Sequence, residues 1–166
     1  MNKKNLRKLA KYLMALPKDY RAFEMRSFME KATADEVRDY IAKNGNMCGS
    51  CACAVGHGPH AGITLEISDD DWDNFFICND DGGVASIWAF YCEHAFDITF
   101  GNRDFEWFFG GEWDKVDNTP QGAAARILYV LDGNEIPDDF EDSLELSVSS
   151  DEAQLVMCQR YMRYMK

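Results

Sequence analysis

Leucines at positions 6, 9, 13 and 16 recur every three or four residues near the start of the chain, with Lys4, Arg7, Lys8 and Lys11 between them. That spacing predicts an amphipathic helix from Asn5 to Leu16, stopped by Pro17, with its basic residues on a solvated face. Phe23 and Met25 alternate with polar neighbours, enough for a short extended piece. Thr33 followed three residues later by Glu36 is a capping-box signature. Val37, Tyr40 and Ile41 then supply the buried face of a second helix, ending at Asn44-Gly45.

The period changes to two over Ile63-Thr64-Leu65-Glu66-Ile67, as in a half-buried strand, and Ser68 suits the cap of a short acidic helix carrying Trp72, Phe75 and Phe76. Past the Gly82-Gly83 break, Trp88, Tyr91, Cys92, Ala95 and Phe96 return to helical spacing, and Phe105 to Phe109 form an aromatic knot bounded by Gly110-Gly111. Asn118-Thr119-Pro120 is a strong helix start, Ile127, Leu128 and Leu131 give a face, and Gly133 a stop. Residues 135–149 read as an exposed acidic connection. Ser149 with Glu152 boxes a last helix carrying Leu155, Val156, Cys158 and Met162. The pattern predicts a mainly α (α+β) fold: one compact helical domain over residues 1–166 with a small β element.

Composition agrees with a folded chain, at 46% apolar residues with four tryptophans, seven tyrosines and eleven phenylalanines in 166 residues. No apolar run approaches the roughly 20 residues of a membrane span, and the basic N-terminus has no signal-like apolar block, so the expected location is cytoplasmic, with free thiols. Charge is segregated within the net −12. Residues 1–44 hold 11 Lys/Arg against 6 Asp/Glu, and residues 45–159 hold 3 against 23. A middle this acidic repels phosphate, so direct nucleic-acid binding is not expected, whereas a basic surface on another protein is a suitable partner. The carboxylates offered to such a partner are Asp69, Asp70, Asp71, Asp73, Asp80, Asp81, Asp138, Asp139, Glu141 and Asp142.

Reactive side chains converge in one segment, Cys48-Gly-Ser-Cys51-Ala-Cys53-Ala-Val-Gly-His57-Gly-Pro-His60. If Ser50 caps a helix running to about Gly58, Cys53 and His57 lie one turn apart on one face, with Cys48 at its N-terminal end. Three readings compete. Zinc suits clustered thiolates and imidazoles, with Cys48-x-x-Cys51 and His57-x-x-His60 as the inviting pairs and Cys48, Cys53 and His57 as the alternative set, but the five residues between Cys51 and His57 are too few for a zinc-finger lobe. A thiol at a helix N-terminus with a histidine base would make a nucleophile, but no orienting Asn or Asp is identifiable. Close packing of small residues, with His57 as a core histidine, needs nothing further and is favoured. No cofactor is expected. Asp80-Asp81 does not fit a calcium loop, and Walker, dinucleotide and Gly-x-Ser-x-Gly signatures are absent.

The stretch Cys48-Gly49-Ser50-x-x-Cys53-x-x-Gly56-His57 resembles the pattern Cys-Gly-Thr/Ser-x-x-Cys-x-x-Gly-His/Trp of small uncharacterised proteins of bacteriophages and bacteria. Those proteins also tend to begin with a leucine-rich helix and to carry a later helix similar to Thr119-Pro120-Gln121-Gly122-Ala123-Ala124-Ala125-Arg126-Ile127. Cys51 and His60 fall outside the pattern. The resemblance implies a phage or mobile-element origin. Joined to the acidic middle, it gives the expectation of a non-enzymatic interaction protein that inhibits a host protein, with anti-defence by nucleic-acid mimicry its natural form. The alternatives are a zinc- or thiol-dependent enzyme, or a binder of a nucleotide signal using the rings around Trp88 and Trp107.

Overall fold

A computed structural model describes residues 1–23, 34–43, 53–68, 84–110, 117–137 and 140. Within them lie five α-helices: α1 Lys3–Ala15, α2 Ala34–Lys43, α3 Val84–Phe96, α4 Arg103–Phe109 and α5 Pro120–Leu131. A single 3-10 turn, Val55–His57, falls between α2 and α3. The mainly helical expectation holds. Among the described residues there is no strand, and the expected β element is replaced by an extended run over residues 63–67. Its alternation is real: Ile63 is buried, Leu65 and Ile67 half-buried, Thr64 and Glu66 exposed. It runs along a helix instead of a second strand, since the Leu65 N–H donates to the Ile41 carbonyl and Arg38 donates to the Ile67 carbonyl.

Helix α1 forms for the reasons its sequence gives. Asn2 caps it by accepting from the Asn5 N–H, and Leu6, Leu9, Ala10 and Leu13 are buried on one side. That face packs chiefly on α5 and secondarily on α3. Side-chain amides fasten the packing, as Asn5 donates to the Ala95 carbonyl at 2.7 Å and Gln121 to the Leu16 carbonyl. In α5 the Thr119 hydroxyl accepts from the Gly122 N–H, Pro120 sits in the first turn, and Gly133 past the end has φ +91°. Ala123 and Ala124 are wholly buried, so the α1 and α5 backbones approach closely across small side chains.

Helix α3 supplies the middle of the core with Ile87, Trp88, Tyr91, Cys92, Ala95 and Phe96, all buried. It ends in a left-handed residue, Asp97 at φ +56°, with the Ile98 N–H returning to the Cys92 carbonyl. The aromatic knot is itself a helix, α4. Asn102 caps it, accepting from the Phe105 N–H at 2.8 Å, and Phe105, Trp107, Phe108 and Phe109 are buried. One hydrophobic cluster joins residues from all five helices with Cys53, Ala54, Val55 and Ile63. The capping threonine Thr33, the short acidic helix after Ser68 and the last helix after Ser149 fall outside the described residues.

Candidate functional site

The segment from Cys53 to Ile63 is seated in the core by bonds to its surroundings more than by bonds of its own. Ser50 lies outside the described residues. From Cys53 onward the expected helix is a single tight turn, with the His57 N–H shared between the Cys53 and Ala54 carbonyls at 3.3 Å each. The Tyr40 hydroxyl donates to the Gly56 carbonyl at 3.0 Å, the Tyr91 hydroxyl to the Ile63 carbonyl, and Lys8 to the Gly62 carbonyl at 2.6 Å. Helices α2, α3 and α1 thus each fix one carbonyl of the segment. Gly58 has ordinary helical angles; its need is spatial, since a Cβ there would run into the Tyr91 ring and hydroxyl.

Cys53 and His57 are both buried. Burial pushes the Cys53 thiol up to about 11, outweighing the backbone N–H groups of Gly56 and Val55 that favour the thiolate. The Cys92 thiol is raised in the same way, and the nearby Cys53 adds to it. Both are free cysteines. A thiol held protonated in apolar surroundings is a poor nucleophile and a poor ligand until it loses its proton. Cys48 lies outside the described residues.

Around His57 stands a group of rings that sequence reasoning did not assemble. Phe23 stacks on it with centroids 5.6 Å apart, Tyr20 and Tyr12 lie at 5.9 and 6.0 Å, and His60 at 6.0 Å. His60 in turn stacks on Tyr12 and meets the edge of Tyr40 at 5.1 Å. His57 Nε2 lies 3.2 Å from the Ala22 carbonyl, an acceptor only, so Nε2 carries the proton and donates. Desolvation lowers the His60 pKa, and it raises those of Tyr12 and Tyr40, with Tyr20 adding to both. The cluster therefore favours neutral rings. Its only sequence signal was the i, i+3 pairing of His57 and His60; Tyr12 comes from α1, Tyr20 and Phe23 from the stretch after it, and Tyr40 from α2.

Among the described residues, no group of three or more His, Cys, Asp or Glu side chains is placed to hold a metal ion. The rings proposed for ligand stacking are spent on the core. Trp88 and Trp107 are buried, and the Trp107 indole N–H donates to the Arg126 carbonyl at 3.2 Å. Arg126 is buried beside Trp107 and reaches the Asp117 carbonyl, while Arg103 donates to the Ile136 carbonyl. An open groove of about 550 Å³ runs between α2 and the extended run, lined by Asp35, Glu36, Asp39 and Glu66 against Arg38 and Lys43. Asp39 and Lys43 pair across one helical turn at 3.0 Å.

Asp69, Asp70, Asp71, Asp73, Asp80, Asp81, Asp138, Asp139, Glu141 and Asp142, the carboxylates expected to meet a partner, lie outside the described residues. No described helix is long and apolar enough to cross a membrane. Compared with models of known protein families, with curated proteins and with solved structures, the chain matches none.

Proposed function

We propose that the chain is a non-enzymatic interaction protein of a phage or mobile element, acting in the bacterial cytosol on a host protein with a basic surface. The observation that carries this reading is the segregation of charge, with 23 acidic residues against 3 basic ones between residues 45 and 159. Such a field attracts a cationic, nucleic-acid-handling surface over roughly a Debye length, about 8 Å at physiological salt, and raises the association rate. In this reading the carboxylates of residues 69–73, 80–81 and 138–142 take the place of nucleic-acid phosphates, and the inhibitor occupies a site that defends the host. The acid-rich groove beside α2 supports it, offering four carboxylates against two cations. The burial of Cys53 and His57 supports a structural role for their segment, and the burial of Trp88 and Trp107 leaves their rings to the core.

The test is affinity capture from a bacterial host lysate followed by mass spectrometry, with the captured complex then titrated with salt. A stoichiometric partner with a basic surface, released steeply as salt rises, is the expected result. A complex equally stable at low and high salt would remove nucleic-acid mimicry, and a metal- or thiol-dependent turnover by the purified chain would remove the non-enzymatic reading.

A further inference from the structure

Charge on α1 runs against the rest of the molecule and against the helix itself. Lys3, Lys4, Arg7, Lys8 and Lys11 are all exposed, and the helix contains no acidic residue. At 100° per residue, Lys4, Arg7, Lys8 and Lys11 fall within an arc of about 100°, opposite the buried Leu6, Leu9 and Leu13. Three like-charge pairs sit four residues apart: Lys3 with Arg7, Lys4 with Lys8, and Arg7 with Lys11. Each such pair destabilises a helix, and Lys3 and Lys4 also stand at the end where the helix dipole disfavours cations. Nothing described offsets this. Among the described residues, Lys3, Lys4, Arg7 and Lys11 make no ion pair, and Lys8 alone is engaged, on the Gly62 carbonyl. In a chain carrying 29 acidic residues, a helix face that breaks local electrostatic rules without local compensation marks a surface kept for something outside the fold.

We infer that the solvent face of α1 is a second docking surface, of opposite sign to the acidic one, which takes an acidic protein partner through Lys4, Arg7 and Lys11. The extent of the stripe selects the partner. Seven residues of helix separate Lys4 from Lys11, about 10 Å. Beyond its start lies Asp97, paired with the Met1 ammonium, and beyond its end the exposed Lys18, Asp19 and Arg21. A phosphate backbone continuing past the stripe meets the field of residues 45–159, with 23 acidic residues against 3 basic ones, whereas an acidic helix face or loop of similar length stops where the stripe stops. The apolar side of α1 is already committed to α5, so insertion into a lipid surface is closed to it.

The test uses the full chain and a Lys4→Gln/Arg7→Gln/Lys11→Gln variant, leaving Lys8 and every carboxylate in place. The probes are a fluorescent glutamate-rich helical peptide, the same peptide with glutamine for glutamate, and a short DNA duplex, each titrated by anisotropy at low and physiological salt. The wild type should bind the glutamate peptide and neither of the others, and the variant should bind it about tenfold or more weakly, the scale of removing close charge pairs. Equal binding by wild type and variant, or tighter binding of the duplex, would overturn the inference. Thermal melting adds a readout independent of any probe. Relief of like-charge repulsion should leave the variant's melting temperature equal or higher, while a fall of several degrees would assign the stripe to this chain's own carboxylates and overturn the inference. Sedimentation excludes a second copy as the occupant if both chains remain alike across the concentrations used; self-association lost in the variant would also overturn it. Capture of a basic host protein through the acidic surface should survive in the variant, so the two docking readings fail separately.

Discussion

Helix α5 and the Cys53–Ile63 segment both reach the core through small residues, but different levels of the sequence hold them there. The alanines and Gly122 of α5 sit in a helix that local signals define completely: a threonine cap, a proline in the first turn and a glycine in the left-handed region after the end. The Cys53–Ile63 segment has one 3-10 turn and takes its shape from Tyr40, Tyr91 and Lys8, each supplied by a different helix and each bonded to one of its carbonyls. Small residues thus serve two purposes. In α5 they let two regular backbones approach; in the segment they let aromatic side chains reach the backbone.

The largest expected effects come from filling those spaces. Gly122→Ala drives a methyl into the backbone carbonyl of Asp117, and Gly58→Ala drives one into the Tyr91 ring. Each should destabilise by about 1–3 kcal/mol, the usual range for overpacking, measured by denaturant unfolding. The two should part company in a second background. Tyr91→Phe leaves the buried Ile63 carbonyl without its donor and costs about 1–3 kcal/mol alone. It also removes the atom nearest to a Cβ at position 58, so Tyr91→Phe should cost less in Gly58→Ala than in the wild type, while its cost in Gly122→Ala should be unchanged. Additivity in both backgrounds would show that the segment is not held through Tyr91.

That difference also explains how far the fold was legible. Helices α1, α2, α3 and α5 were readable because periodicity and cap chemistry are local; α1 and α5 lie within two residues of the expected bounds. Phe105 to Phe109 reads as an aromatic knot but not as a helix, since five residues that are nearly all aromatic have no polar face to set a period, and the cap Asn102 carries the signal instead. Ile63 to Ile67 showed true alternation, yet alternation specifies which side chains are buried and not what the backbone bonds to. The site was half legible. A backbone bond links Cys53 and His57 within one tight turn, but the rings around His57 and His60 come from residues 12, 20, 23 and 40, a convergence that no spacing within one segment announces.

A smaller effect separates local from tertiary stabilisation directly. Thr119→Ala removes the side-chain acceptor of the Gly122 N–H and should cost about 1 kcal/mol, the typical value of a lost N-cap. Because the cap acts on α5 alone, amide exchange should quicken in its first turn, while the amides of Gly58 and Ile63 keep their protection. Equal loss in both regions would mean that the segment depends on the start of α5.

The smallest expected effects are those of pH, and they act on the ring cluster rather than on α5. On the alkaline side, Cys53 has its thiol raised from 9.0 to about 11, and Tyr12 and Tyr40 are raised from 10.0. Between the unfolded and folded values the folded chain holds protons that the unfolded chain has lost, so stability is complete below about pH 9 and falls as pH rises above it. On the acid side, desolvation lowers His60 below 6.5. There the unfolded chain binds the proton first, so this stability is present above pH 6.5 and is lost as pH falls through the folded value. His60 is only half-buried, so its acid limb should be the shallower of the two. Melting temperature against pH should show both limbs, and His60→Gln should flatten the acid limb below pH 6.5 while leaving the alkaline one in place. An unchanged acid limb in that variant would move the titration to other groups and leave His60 a packing residue alone.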